Sequence, residues 1–142
     1  MKLLDVNLLL YAVDASAPGH HRAKEWLEEV LSSGETVALP WVVLLAFVRL
    51  TTRAALFAHP LTADEALDIV DGWLALPNTT VVHPGPRHAA LLRELLAPFG
   101  TAGNLTTDAH LAALAREHGA TLCSRDADFS RFPGVRWLDP LR

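Results

Sequence analysis

Short apolar runs alternate along the chain with longer segments that have the periodicity of amphipathic helices. We predict strands at residues 3–6, 36–39, 79–83, 120–124 and 135–138. We predict helices at residues 7–13, 20–31, 40–51, 62–76, 86–99 and 107–118, and a helical turn at 126–132. Because helices separate consecutive strands, the connections are parallel crossovers. The pattern therefore predicts an α/β, three-layer fold with a central parallel sheet flanked by helices.

Two helix starts carry recognisable capping signals. Thr62 precedes an apolar-periodic segment and has Glu65 three residues later, as in a capping box. Thr106 or Thr107 is the expected cap of the helix that ends at Gly119. In the helix that follows Thr62, we expect Leu67, Val70 and Leu74 to face the core.

Length and composition fit one folded domain over residues 1–142. Half of the chain is apolar (51%) and 20% is charged, which excludes a disordered protein. The longest apolar stretch, residues 37–48, contains Pro40 and is shorter than the roughly 20 residues of a bilayer span. Cys123 is the only cysteine, and Asp5 lies where a signal peptide needs apolar residues. We therefore expect a cytoplasmic protein without disulfides, Cys-based zinc or a membrane partner.

Net charge narrows the possible partners. Twelve basic and sixteen acidic side chains give −4, which argues against a purely electrostatic nucleic-acid binder. An enzyme that acts on nucleic acid through a locally basic rim remains compatible with this balance.

Acidic residues follow two of the predicted strands. Asp5 comes at the end of the first strand, and Asp126 follows the strand that contains Cys123. Ligands of parallel sheets bind beyond the carboxyl ends of the strands. Asp5 and Asp126 should therefore face one crevice if their strands are neighbours. Asp108, in the first turn of a helix, and Asp128 are further candidates.

Each of these acids also has a purely structural explanation. Asp5, Asp126 and Asp128 could cap the helices that follow them, and Asp108 would be stabilised by a helix dipole. Together, however, clustered carboxylates repel unless a cation neutralises them. Oxygen ligands without a His or Cys cluster favour Mg²⁺ or Mn²⁺. Such an ion can activate water for phosphodiester hydrolysis.

Three segments, taken in order, resemble one family. They are residues 3–12 (LLDVNLLLYA), 107–115 (TDAHLAALA) and 121–129 (TLCSRDADF), with Asp126 eighteen positions after Asp108. They resemble PIN-domain nucleases, and most closely VapC toxins, the ribonuclease halves of bacterial VapBC toxin–antitoxin pairs. The resemblance covers essentially the whole chain as a single PIN domain.

The resemblance implies a Mg²⁺- or Mn²⁺-dependent endoribonuclease, the toxic component of a type II toxin–antitoxin system. It further implies hydrolysis of phosphodiester bonds in structured RNA such as tRNA or rRNA, a homodimer, and neutralisation by a VapB-type antitoxin. The positions that match the family's catalytic, metal-binding acids are Asp5, Asp108 and Asp126. The supporting positions are Asp128, the small hydroxyl residue Ser124, which orients the site, and Asn7, a hydrogen-bond partner of the first acid.

One position departs from the family pattern. The family has a glutamate three residues before a basic residue in the middle helix, and here Ala46 precedes Arg49 at that spacing. One alternative is therefore a catalytically weakened PIN-fold protein that binds RNA or a partner. Arg49 could pair with a site acid, reach a substrate phosphate, or form an ordinary salt bridge at a helix end.

The sequence offers less support for a hydrolase of another class. A hydrolase with Asp5 as nucleophile would need a second acid two residues later and a lysine in a later segment. This chain has Asn7 there, and its only lysines are Lys2 and Lys24. The aromatic residues Trp41 and Phe47 could form a dimer or antitoxin surface.

Overall fold

A computed structural model describes all 142 residues and contains a five-stranded, entirely parallel sheet. Its strands, in chain order, are β1 (Lys2–Leu4), β2 (Val37–Ala38), β3 (Thr79–Thr80), β4 (Thr121–Cys123) and β5 (Trp137–Leu138). In the sheet they lie in the order β3-β2-β1-β4-β5. The first strand of the chain is therefore the central one, with β2 and β4 as its neighbours.

Six α-helices flank this sheet, as the sequence predicted. They are α1 (Val6–Val13), α2 (His20–Ser32), α3 (Trp41–Thr51), α4 (Ala63–Leu74), α5 (His88–Leu96) and α6 (Thr106–Glu117). Helix α1 packs against α2 and α3, and α5 packs against α6. None of the helices combines the length and the apolar character that crossing a bilayer requires.

The core is one continuous cluster of 32 buried residues drawn from the sheet and all six helices. Leu3 and Leu4 of the central strand are fully buried, because helices cover both faces of a parallel sheet. In β4, Leu122 and Cys123 are buried in the same way. The central strands thus hold the residues that follow them, Asp5 and Ser124, at fixed positions.

The structure corrects several predicted element boundaries. The first strand ends at Leu4, and Val6 already belongs to α1, because Asp5 adopts an extended conformation and caps that helix. The helix predicted over residues 86–99 ends at Leu96 and continues as a 3-10 turn around Pro98, since proline lacks the N–H that an α-helix needs. The other strands and the last predicted turn are shorter at their ends than predicted, which is where assignments from sequence are least certain.

One of the two predicted helix caps is confirmed and the other is wrong. Thr62 and Glu65 form the complete capping box at the start of α4. At the start of α6 neither threonine caps the helix with its side chain; the Thr106 hydroxyl donates instead to the carbonyl oxygen of Gly103, at 2.8 Å. The 3-10 turn that precedes α6 provides this acceptor.

The predicted core face of α4 is confirmed for Val70, which is buried, and for Leu74, which packs against the core, but it is wrong for Leu67. Ala66, Val70 and Trp73 are buried, whereas Leu67 is 44% exposed. The Trp73 ring packs edge-on against Phe47 of α3, with their centroids 4.9 Å apart. A contact with α3 therefore sets the rotation of α4.

Candidate active site

The first and third of the family-like segments, residues 3–12 and 121–129, meet at the carboxyl edge of the sheet. Strands β1 and β4 are parallel neighbours, with Leu4 in register with Cys123. The backbone N–H of Asp5 donates to the carbonyl oxygen of Cys123 at 3.0 Å. Asp5 and Ser124 therefore follow directly on adjacent strands, which confirms the expectation that both segments face one crevice.

The hydroxyl of Ser124 is the centre of the site's hydrogen-bond network. It donates to Oδ2 of Asp5 at 2.7 Å and accepts from the Asp126 backbone N–H at 2.9 Å. It also accepts from the Asn7 side-chain amide at 3.0 Å. Ser124 is fully buried, so these bonds form away from water and use the full capacity of one hydroxyl group.

Asn7 contacts Asp5 only indirectly. Its amide donates to Ser124, and its Oδ1 accepts from the Arg125 backbone N–H at 3.3 Å. The sequence-based prediction of a direct Asn7–Asp5 hydrogen bond is therefore wrong. Asn7 instead joins the start of α1 to the segment after β4, and so keeps Ser124 directed at Asp5.

Asp5 combines a capping role with burial. Its Oδ1 accepts from the Val6 backbone N–H at 2.7 Å, and the residue is only 9% exposed. Burial raises the pKa of Asp5, the hydrogen bonds from Ser124 and Val6 lower it, and the charge of Asp126 raises it again. Both oxygens already accept hydrogen bonds, which disfavours Asp5 as a nucleophile that attacks phosphate.

Asp108 brings the second of these segments, residues 107–115, to the same place. It lies in the first turn of α6 and is half-buried. Burial raises the pKa of Asp108 to about 6, and the negative charges of Asp5, Asp126 and Asp128 add to the effect. The four acids that the sequence analysis singled out therefore share one electrostatic environment.

Asp126 and Asp128 follow β4 in one short turn. Oδ1 of Asp126 accepts from the Asp128 backbone N–H at 2.9 Å and so caps the 3-10 turn Ala127–Arg131. Asp128 is exposed, and its carboxylate lies 3.8 Å from the guanidinium of Arg131. Asp5, Asp108 and Asp126 form no ion pair within the protein.

The chemistry of this site suits a divalent cation. Its donors are carboxylate oxygens, and no protein cation offsets the charge of Asp5, Asp108 or Asp126. No three His, Cys, Asp or Glu side chains of the protein are close enough to form a complete set of metal ligands. A cation such as Mg²⁺ keeps several waters of its own and is held by only one or two carboxylates. The metal site therefore remains a prediction, which the donor set supports.

Arg49 does not make the contacts expected of it. It is exposed near the end of α3, and its side chain forms neither an ion pair nor a hydrogen bond within the protein. The expectations of a salt bridge at a helix end and of pairing with a site acid are therefore wrong. Contact with a substrate phosphate stays a prediction. Ala46, one turn earlier, is half-buried and supplies no acid.

A second polar cluster joins α5 to α6 and was not predicted. Glu117 bonds Nδ1 of His88, and Nε2 of His88 lies 2.8 Å from Nδ1 of His110. The other oxygen of Glu117 accepts from the backbone N–H of Gly85 at 2.6 Å. Burial lowers the pKa of His110, as does neighbouring His88. The sequence gives no signal for this network, because its side chains are 22 or more positions apart in the chain.

Comparison with known proteins agrees with this fold. The PIN domain family model matches residues 2–135. The chain is 49% identical to Ribonuclease VapC37 of Mycobacterium tuberculosis, covering 99% of this chain and 97% of that protein. It is 41% identical to Ribonuclease VapC33 of the same species, covering 100% and 99%.

Solved structures share the fold at low identity. One is VapC20 of M. tuberculosis, a toxin that cleaves the sarcin-ricin loop, with TM-score 0.67, 22% identity and coverage of 96% of this chain and 99% of that one. Another is VapBC2 from Rickettsia felis bound to a promoter DNA fragment, with TM-score 0.67, 19% identity and 96% coverage of both chains. The parallel sheet and its acidic edge thus define a PIN-domain protein. Within that class, the chain belongs to the family of VapC ribonucleases.

Proposed function

We propose that this chain is the toxin of a type II VapBC system, an endoribonuclease that needs Mg²⁺ or Mn²⁺ and cleaves structured RNA. The observation that carries the proposal is the hydrogen-bond network of Ser124, which joins Asp5 to the Asp126 backbone at the paired ends of β1 and β4 with no protein cation beside either carboxylate. Carboxylates gathered at one end of a parallel sheet without a protein cation are typical of a functional site rather than of a stabilising contact.

Asp5, Asp108 and Asp126 would face the ion, which would keep several of its own waters and take one or two of these carboxylates as direct ligands. Asp128 would support them from the rim. A bound divalent cation supplies Lewis-acid stabilisation of the charge that develops on phosphate and lowers the pKa of water. Hydrolysis forms a P–O bond to the oxygen of a water molecule and breaks the P–O bond to the leaving oxygen, which takes up the proton that the water loses. Ser124 fixes the orientation of Asp5, and Asn7 fixes that of Ser124.

The direct test is cleavage of labelled tRNA and of an rRNA fragment by the purified protein. We expect cleavage with Mg²⁺ or Mn²⁺, none in EDTA, and a loss of at least about 100-fold in Asp108→Asn, a range reached when a charge-stabilising group is removed. Asp71→Asn, on an exposed part of α4, is the matched control and should cleave like the wild type. Cleavage that survives EDTA or Asp108→Asn would disprove the metal role.

RNA is the expected substrate in spite of the net charge of −4. The names of the relatives are those of ribonucleases, and VapC20, which shares the fold, is a toxin that cleaves the sarcin-ricin loop. A separate arm of the test compares tRNA with the rRNA fragment. Preference for one of them defines the substrate class, and equal cleavage of unstructured RNA would contradict the proposed preference for structured RNA.

A VapB-type antitoxin and a second copy of the chain are the proposed partners. The VapBC complexes that share the fold support an antitoxin. On α3, Trp41 and Leu45 are 45% and 60% exposed one helical turn apart, an apolar surface suited to a dimer. Phe47 is fully buried, so its expected surface role is wrong. Light scattering of the 15.4 kDa chain should give a dimer that Leu45→Glu dissociates.

A second candidate is a catalytically weakened PIN protein, which Ala46 favours. Restoring the acid by Ala46→Glu separates the two functions. If the native acids are sufficient for catalysis, the wild type cleaves RNA. The cleavage rate of Ala46→Glu at saturating Mg²⁺ then differs from that of the wild type by less than about tenfold, which corresponds to about 1.4 kcal/mol. An inactive wild type with an active Ala46→Glu variant would support the weakened protein instead.

A further inference from the structure

The guanidinium of one arginine lies over an aromatic ring beside the acidic site. The guanidinium carbon of Arg131 lies 4.8 Å from the centroid of the Phe99 ring, within the range of a cation–π contact. Arg131 ends the 3-10 turn that Asp126 caps, and Phe99 belongs to the turn after α5. The contact therefore joins two loops that approach the site from different parts of the chain.

The ring under the guanidinium is held firmly. Phe99 packs edge-on against Phe132, with ring centroids 5.4 Å apart, and the ring centroids of Phe132 and Phe129 are 6.1 Å apart. Phe129 is fully buried and Phe132 is 3% exposed. Phe99 thus rests on the core, and its own ring faces the guanidinium.

The guanidinium itself is accessible and has hydrogen-bonding capacity to spare. The Arg131 side chain is 58% exposed and donates no hydrogen bond within the protein. Its one ionic contact, to Asp128 at 3.8 Å, is an exposed pair of the kind worth little in stability. Arginine presents five donors in one plane, and that plane can also stack on a flat ring.

The Arg131–Phe99 pair lies next to the proposed catalytic acids. Asp128 lies 3.8 Å from the Arg131 guanidinium, and Arg131 ends the short turn that Asp126 caps. A nucleotide on the outer face of the guanidinium would therefore have its phosphate near the acidic edge. Sequence-specific proteins recognise RNA mostly at unpaired bases, which stack on aromatic side chains or on arginine planes.

We propose that the Arg131–Phe99 pair is a stacking platform for one unpaired nucleobase of the RNA substrate. The base stacks on the exposed face of the guanidinium, and the free N–H groups of Arg131 bind the adjoining phosphate. The platform rests on the proposed ribonuclease function, and it makes Arg131 and Phe99 substrate-binding residues.

The test is equilibrium binding of a single-stranded oligoribonucleotide that carries one 2-aminopurine, in EDTA so that metal-dependent cleavage does not intervene. Stacking quenches 2-aminopurine fluorescence. Arg131→Lys keeps the charge but loses the plane, and Phe99→Leu keeps an apolar side chain but loses the ring. Lys24→Ala, on the exposed face of α2, removes one positive charge elsewhere and is the matched control.

We expect the wild type and Lys24→Ala to quench the fluorescence equally. In Arg131→Lys and Phe99→Leu the quenching should be lost and Kd should rise about 5- to 150-fold, the range of one base–aromatic stack. In cleavage assays, Arg131→Lys should raise KM with kcat nearly unchanged, since a stack made equally in the ground and transition states affects binding alone.

Two results would overturn the platform. The first is an Arg131→Lys variant whose quenching of the probe and whose KM both equal those of the wild type. The second is a wild-type protein that binds the probe without quenching its fluorescence. If that wild type still cleaves RNA with Mg²⁺, the ribonuclease proposal stands and only the platform fails. A wild type that neither binds nor cleaves RNA would overturn both. Circular dichroism of Phe99→Leu checks that the variant is folded, and Arg131→Lys, an exposed substitution, tests the platform independently.

Discussion

The hydroxyl of Ser124 donates a 2.7 Å hydrogen bond to Oδ2 of Asp5, a residue 119 positions away in the chain. Both residues are buried and both directly follow strands, β1 and β4, that pair in parallel. The bond lowers the pKa of Asp5 against the opposing effect of burial. Parallel pairing thus places a donor where a buried carboxylate needs one.

Ser124→Ala should weaken both activity and stability. The substitution removes the donor to Asp5 and the acceptor of Asn7 and Asp126. Losing a partner that orients a metal ligand costs about 10- to 100-fold in activity or metal affinity, and unpaired buried groups cost about 1–3 kcal/mol. Cleavage rates and urea unfolding measure both effects. Ser32→Ala, at an exposed position of α2, is the control. Equal cleavage rates and equal unfolding free energies of the two variants would refute the role of Ser124.

The charge of Asp108 should make stability depend on pH. Its pKa is raised from 3.8 to about 6 in the folded protein, so the folded state binds more protons than the unfolded chain between these values. Stability therefore falls as pH rises through this window, and the penalty persists above it.

Asp108→Asn should accordingly raise Tm at pH 7.5 in EDTA and have little effect at pH 4, where the wild-type carboxyl is protonated. Mg²⁺ should raise the wild-type Tm more at pH 7.5 than at pH 5, because only the charged carboxylate attracts the ion. Differential scanning fluorimetry measures both shifts. An Asp108→Asn variant with lower Tm at pH 7.5 would contradict the assigned electrostatic penalty.

Glu117 should stabilise the protein without contributing to the reaction. Glu117→Ala leaves the partly buried His88 ring and Gly85 N–H without their acceptor, which should cost about 1–2 kcal/mol, in the lower part of the range for unsatisfied buried donors. Glu94 pairs with Arg116, and the Glu94 side chain is 55% exposed. Glu94→Ala should therefore lower the free energy of unfolding by less than about 1 kcal/mol. Urea unfolding compares the two variants. Equal costs would mean that the Glu117–His88 contact adds nothing to stability.

The two threonines with capping signals should respond differently to substitution. Thr62→Ala breaks the capping box with Glu65 and should destabilise the protein by about 1 kcal/mol. Thr107→Ala should change stability by less than about 0.5 kcal/mol, because the exposed Thr107 side chain caps nothing. Thermal unfolding followed by circular dichroism decides between these outcomes, and a larger loss in Thr107→Ala would disprove the assignment of the caps.

Local patterns were sufficient for the order of elements and for the acids of the candidate site. The alternation of short apolar runs and amphipathic segments predicted all five strands and six helices. Asp5 and Asp126 could be assigned to one crevice because residues that follow parallel strands meet at one sheet edge. The box of Thr62 and Glu65 was predictable because all of its atoms lie within one helical turn.

Contacts between distant segments decided the rest. Leu67 is exposed because the packing of Trp73 against Phe47 sets the rotation of α4, and periodicity within one helix cannot supply that partner. Asn7 bonds Ser124 rather than Asp5 because the carboxyl ends of β1 and β4 lie side by side. A sequence specifies which groups are available and which faces are apolar. The free energy of packing and of buried hydrogen bonds depends on which segments become neighbours, and this is fixed only when the chain is folded.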